Sequence, residues 1–106
     1  METSVSFAGS RPPRALLVED DPVSRHYLEA VLQELGLEVD TAADGRTAHV
    51  QAASHQHALW MIDVNLPDIS GPQLLAGLRD AHGQVTALAH TADSRAELGC
   101  QLRESG

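Results

Sequence analysis

The chain has 106 residues, a formal charge of −8 and seven cationic side chains, every one of them arginine. That length fits one domain; the acidic balance argues against nucleic acid, whose phosphates need clustered Lys or Arg, and the lack of lysine removes Schiff-base chemistry. A single cysteine, Cys100, excludes an internal disulfide or Cys-based zinc site, and no run resembles a membrane span or signal-peptide core, so a cytoplasmic setting is expected.

Residues 1–13 mix Ser, Gly, Thr and paired prolines and read as a disordered N-terminal tail, with the domain over 14–106. Ala15-Leu16-Leu17-Val18 is a short continuous apolar run, the mark of a buried parallel strand, and it ends in Glu19-Asp20-Asp21. Pro22 after an acidic residue predicts a helix start. Leu28, Val31, Leu32 and Leu35 follow at helical spacing, and Gly36 is the stop. Leu37 to Ala42 alternates like a half-buried strand. Asp44-Gly45 turns into an alanine-rich helix from about Arg46 to Ala53.

Leu59-Trp60-Met61-Ile62 is the second fully apolar strand, and it too ends in a carboxylate, Asp63. A loop with Pro67 and Gly71 leads to a helix carrying Leu74, Leu75 and Leu78. Val85 to His90 predicts a fourth strand. Ser94-Arg95-Ala96-Glu97 has capping-box spacing and predicts a fourth helix with Leu98 and Leu102 inward. Four strands alternating with four helices specify an α/β fold on a parallel sheet.

In such sheets ligands gather at the carboxyl ends of the strands, where strand order reverses. Strand one brings Glu19 and Asp20 to that edge, and strand three brings Asp63. Taken alone, Glu-Asp-Asp is equally an N-cap followed by solvated loop charges. A second apolar strand ending in Asp, in the same phase, shifts the balance toward a site. Three converging carboxylates repel without a counter-ion, and a hard divalent cation such as magnesium fits their oxygens. Without metal, at least one of them is expected to have a raised pKa. A dinucleotide or flavodoxin-type site needs a glycine- or hydroxyl-rich loop after strand one, and this loop is acidic. A haloacid-dehalogenase-like site wants a second Asp where Asn65 stands, and a lysine that the chain lacks.

Leu16-Leu17-Val18-Glu19-Asp20-Asp21, Ile62-Asp63-Val64-Asn65-Leu66-Pro67 with Gly71, and Thr91-Ala92 together resemble the receiver domain of bacterial two-component response regulators, from Ala15 to Gly106. The resemblance implies a flavodoxin-like doubly wound parallel sheet. It makes Asp63 the phospho-acceptor in a reaction dependent on Mg²⁺ (or Mn²⁺). Glu19, Asp20 and Asp63 would hold the metal with the Asn65 backbone carbonyl. Thr91 would donate its hydroxyl to a phosphoryl oxygen, Ala92 would leave room for that group, and Asn65 and Asp93 would position hydrolytic water. The partner implied is a histidine kinase or histidine phosphotransfer protein, and the chain is a regulatory phospho-acceptor rather than an enzyme acting on an external substrate.

Receivers also carry a fifth parallel strand bearing a lysine, a switch aromatic and a fifth helix. The fifteen residues after Thr91 are used up by the fourth helix, so the expectation is four βα units with the family's β5 and α5 missing. Strand four is then an open edge, and part of the stripe Leu28, Val31 and Leu35 is bare. A homodimer or domain swap covering that face is expected. The runner-up is a truncated receiver that dimerises or binds a kinase without productive phosphotransfer. His55 and His57 read as a polar loop, and His90 as a strand-end histidine or a neighbour tuning the site.

Overall fold

The computed structural model describes residues 12–90 and the short segment Arg103–Glu104; Thr91, Ala92, Asp93 and the predicted fourth helix lie outside the described residues. The elements are β1 (Arg14–Val18), α1 (Pro22–Glu34), β2 (Glu38–Ala42), α2 (Gly45–Ser54), β3 (Leu59–Asp63), α3 (Gly71–His82), β4 (Thr86–His90) and β5 (Arg103–Glu104). Their order in the sheet is β2-β1-β3-β4-β5. The first four strands are parallel, and their register sets Leu16 beside both Asp40 and Trp60, and Asp63 beside His90.

Each helix starts where the local chemistry asks it to. Asp21 accepts the Ser24 N–H at 2.8 Å with Pro22 in the first turn of α1, and Ser70 and Gln73 form a reciprocal capping box at α3. Gly36, with φ of 92°, lets the chain leave α1 in a conformation that a side chain would disfavour.

Alternation along the strands feeds two cores, one on each face of the sheet. Leu16, Val18, Trp60, Ile62 and Ala87 pack with Ala48, Ala52, Leu74, Leu75 and Leu78 of α2 and α3. Ala15, Leu17 and Met61 pack on the other face with Leu32 of α1, joined by Leu28, Leu37, Val39, Leu59 and Leu88. The α1 layer is thinner. Only Leu32 of that helix is fully buried, while Val23, Tyr27, Val31 and Leu35 are exposed along one side at a spacing of four residues.

Two expectations are amended. Leu28 is not part of the bare stripe, because it packs under α1. The β4 edge is not fully open: β5 pairs with it antiparallel, Ala89 opposite Arg103 and Leu88 opposite Glu104. An unpaired strand edge offers N–H and C=O groups to any extended segment, and here the chain's own later residues take two of its positions.

Candidate functional site

Strands β1 and β3 end side by side, and the chain order reverses between them, since β1 has β2 on one flank and β3 on the other. Each strand closes an apolar run with a carboxylate. Glu19 is wholly buried and Asp63 is 3% exposed, which is rare for acidic side chains without a partner. Asp20 is exposed at the rim. One oxygen from each of Glu19, Asp20 and Asp63 lies within 4.8 Å of the others.

Backbone contacts hold this arrangement. The Glu19 N–H donates to the Ala42 carbonyl at 2.9 Å, extending the β1–β2 ladder into the site. The Asp21 N–H donates to Glu19 Oε2 at 2.9 Å, and the Arg25 guanidinium donates to the Glu19 carbonyl oxygen at 2.9 Å. On the other strand, the Asn65 N–H donates to Asp63 Oδ1 at 3.1 Å. Gly71 then lies against the Asp63–Val64 backbone so closely that a Cβ there would stand 2.7 Å from the Asp63 carbonyl oxygen. The glycine that reads in the sequence as a loop residue is thus the point where α3 abuts β3.

The electrostatics follow from burial. Burial pushes the Asp63 carboxyl up to about 7; the Asn65 amide opposes the shift and the Glu19 carboxylate adds to it. One carboxylate with a raised pKa is the expectation for three acids sharing a site, and Asp63 is that one. At Glu19, burial pushes upward too, but the His90 imidazole and the Asp21 N–H outweigh it and hold this group below its ordinary value.

The residues present fit a hard divalent cation. They offer carboxylate oxygens on a short radius, and buried Glu19 Oε1 has no hydrogen-bond partner. The structure brings together Glu19, Asp20 and Asp63, with Asn65 adjoining through its backbone. His90 is buried, and its Nε2 stands 3.1 Å from Glu19 Oε1. The sequence marks His90 only by its place at the end of an apolar strand. His57 is a correction to the polar-loop reading: its side chain is 1% exposed and its Nε2 lies 2.8 Å from Asp40 Oδ2.

A doubly wound parallel sheet with a cation-ready acidic cluster at its switch point is the class of domain these features define. Residues 15–106 match the response regulator receiver domain family, and the chain belongs to it. It is 35% identical over 79 residues to the virulence transcriptional regulatory protein PhoP of Salmonella typhimurium, a match covering 74% of this chain and 35% of PhoP. The chain therefore spans about a third of the length of that relative. Among solved structures, the response regulator TrrA of Thermotoga maritima in complex with Mg(2+)-BeF superposes with a TM-score of 0.71 at 34% identity, covering 81% of this chain and 76% of TrrA. TrrA in complex with the histidine kinase ThkA gives 0.70 at 33% identity, over 79% and 72% of the two chains. Among the described residues no helix is long and apolar enough to cross a membrane.

Proposed function

We propose that this receiver accepts a phosphoryl group on Asp63 from the phosphohistidine of a histidine kinase or histidine phosphotransfer protein. The observation that carries the reading is a buried Asp63 with a raised pKa, ending β3 within 4.8 Å of Glu19 and Asp20 oxygens. Glu19, Asp20 and Asp63, with the Asn65 carbonyl, would hold Mg²⁺ or Mn²⁺. When bound, that ion neutralises charge on the cluster and on the phosphoryl oxygens.

The chain's own residues do the positioning. The Asn65 N–H holds Asp63 Oδ1 and fixes the plane of the carboxylate. Gly71, lacking a Cβ, lets α3 start directly against the backbone behind Asp63, and with the Asn65 contact the nucleophile is oriented before the donor arrives. A carboxylate oxygen of Asp63 bonds to phosphorus as the phosphorus–nitrogen bond of the donor breaks, and the departing imidazole takes up a proton. Thr91, Ala92 and Asp93 enter on the family motif alone, as hydroxyl donor, small neighbour and water-positioning group together with Asn65. The relatives' names support a cytoplasmic signalling role: TrrA is paired with a histidine kinase and PhoP is a transcriptional regulator.

Acetyl phosphate supplied with Mg²⁺ and followed by intact mass tests the reading. The expected gain is one phosphoryl group, absent from Asp63→Asn. No gain in the wild type would leave the second reading, a non-switching module that dimerises or binds a kinase. The exposed α1 stripe of Val23, Tyr27, Val31 and Leu35 favours self-association in either case. Light scattering on dilution is expected to show a dimer that Tyr27→Lys dissociates; a monomer at every concentration removes the dimer from both readings.

A further inference from the structure

Residues 64–70 form the loop between β3 and α3, and the loop is fastened at its base and at its tip. At the base, the Gly71 N–H donates to the Val64 carbonyl at 3.0 Å and the Val64 N–H to the His90 carbonyl at 2.9 Å. Asn65 pairs with Ser70 across the loop. At the tip, the Asp68 carboxylate reaches the start of α2. It accepts the Gly45 N–H at 2.9 Å through Oδ1 and the Arg46 N–H at 3.2 Å through Oδ2. Ile69 packs beside it against the core under α2 and α3. A Cβ on buried Gly45 would run into the Ile69 side chain and stand 3.3 Å from Asp68 Oδ1, so the glycine lets loop and helix meet closely.

Helix capping by itself does not call for this contact. Asp44 is already the N-cap of α2 and accepts the Thr47 N–H at 2.8 Å. Arg46 is exposed, and water serves such an N–H at a helix end. The loop gains more than the helix does. A carboxylate set against the positive end of a helix makes charge-assisted hydrogen bonds that outlast neutral ones. Between the two fastenings lies Asn65, whose N–H holds Asp63 Oδ1 at 3.1 Å and whose carbonyl belongs to the cation set proposed above.

We propose that Asp68 is a positioning residue for phosphoryl acceptance: by clamping the β3–α3 loop to the first turn of α2, it fixes Asn65 and through it the Asp63 carboxylate. This rests on the reading of Asp63 as acceptor and names a residue outside the acidic cluster on which that reaction depends. Asp68 touches neither donor nor acceptor. Its effect is geometric, because a nucleophile turned away from the line of attack loses the advantage of being held in place. Gly45 is the other half of the clamp, since a methyl there pushes against Ile69 and Asp68 from the helix side.

The test compares the full chain with Asp68→Ala, Asp68→Asn and Asp44→Ala. Each receives acetyl phosphate and Mg²⁺, with intact mass followed in time, and hydrogen exchange at the Asn65 amide is recorded by NMR without donor. Asp44→Ala removes a cap from the same helix but leaves the loop contact alone. Asp68→Ala is expected to slow phosphorylation by about tenfold and to speed exchange at Asn65. Asp68→Asn, which keeps one acceptor oxygen, is expected to fall between it and the wild type, and carries the comparison if Asp68→Ala does not fold. Asp44→Ala is expected to keep the wild-type rate and the wild-type exchange at Asn65. Asp68 variants that match the wild type in rate overturn the proposal. Equal slowing in Asp44→Ala and Asp68→Ala overturns it too, because the residue then acts only as a helix cap. If the wild type gains no phosphoryl group, the proposal falls with the acceptor reading, an outcome distinct from a wild type that reacts and variants that react equally well.

Discussion

At the amino end of β1, the Arg14 guanidinium donates to both Asp40 oxygens, at 3.0 and 3.2 Å, and to Glu38 at 2.8 Å, while His57 closes on Asp40 from the far side. At the carboxyl end of the same strand, Glu19 meets Asp63 and His90, and its inner oxygen has no hydrogen-bond partner. Both clusters mix acids with a histidine. One is satisfied by its own chain and the other is not. The consequences run in opposite directions: the Arg14 hydrogen bond holds the Asp40 carboxyl down at about 2, whereas burial drives Asp63 up to about 7. A hollow of about 880 Å³, lined in part by Arg14, His57, Trp60 and His82, lies at the satisfied end. Concavity alone would choose that end as the ligand site; uncompensated charge chooses the other.

The sharpest way to break the contrast is to remove the charge that the site end cannot satisfy. Asp63 has a folded pKa of about 7 against an ordinary value of 3.8, so the folded state binds its proton more tightly than the unfolded state does. Its contribution to stability is intact below about pH 4 and is lost as pH rises through 7. Asp63→Asn is therefore expected to be more stable than the metal-free wild type at pH 8, by about 2–4 kcal/mol. The difference should close toward pH 4. Urea denaturation at several pH values measures it, and a difference independent of pH would place its origin elsewhere.

At the opposite end the sign reverses. Asp40→Ala strips the acceptor from Arg14 and His57 and is expected to cost about 2–3 kcal/mol near neutral pH. Because the folded pKa lies below the ordinary 3.8, this contribution is present above about pH 4 and is lost as pH falls through about 2. Acid denaturation followed by circular dichroism is expected to show the wild type and the variant converging there. Gly71→Ala, a change without charge, is a smaller perturbation at the site end. Its new methyl meets the Asp63 and Val64 backbone, and the expected loss is about 1–2 kcal/mol. A Mn²⁺ titration should show weakened binding, because the displaced backbone carries Asp63 with it.

Much of the site is legible in the sequence because it is written in strand punctuation. Ala15 to Val18 and Leu59 to Ile62 read as buried strands, and each stops at a carboxylate. The rule that parallel strands of this kind share one functional edge is enough to bring Glu19, Asp20 and Asp63 together. Ser70-x-x-Gln73 also carries a capping signal, although the leucines are what locate the helix. His57 escapes such a reading because a His-x-His pair in a polar stretch resembles a solvated loop. Its partner Asp40 is 17 residues away, on β2, and no local pattern links them. His90 is visible as a polar residue in an apolar place, but its neighbour Glu19 is 71 positions earlier (90 − 19).

Order along the chain thus determined the four parallel strands, the three helices between them and the edge at which the acids collect, since periodicity and capping act over a few residues and are printed in the sequence. Tertiary structure alone decided which charges found partners. Burial, register and the approach of one strand to another set the local dielectric and the available hydrogen bonds, and those quantities separate Asp40, paired and strongly acidic, from Asp63, buried beside Glu19 with its pKa raised.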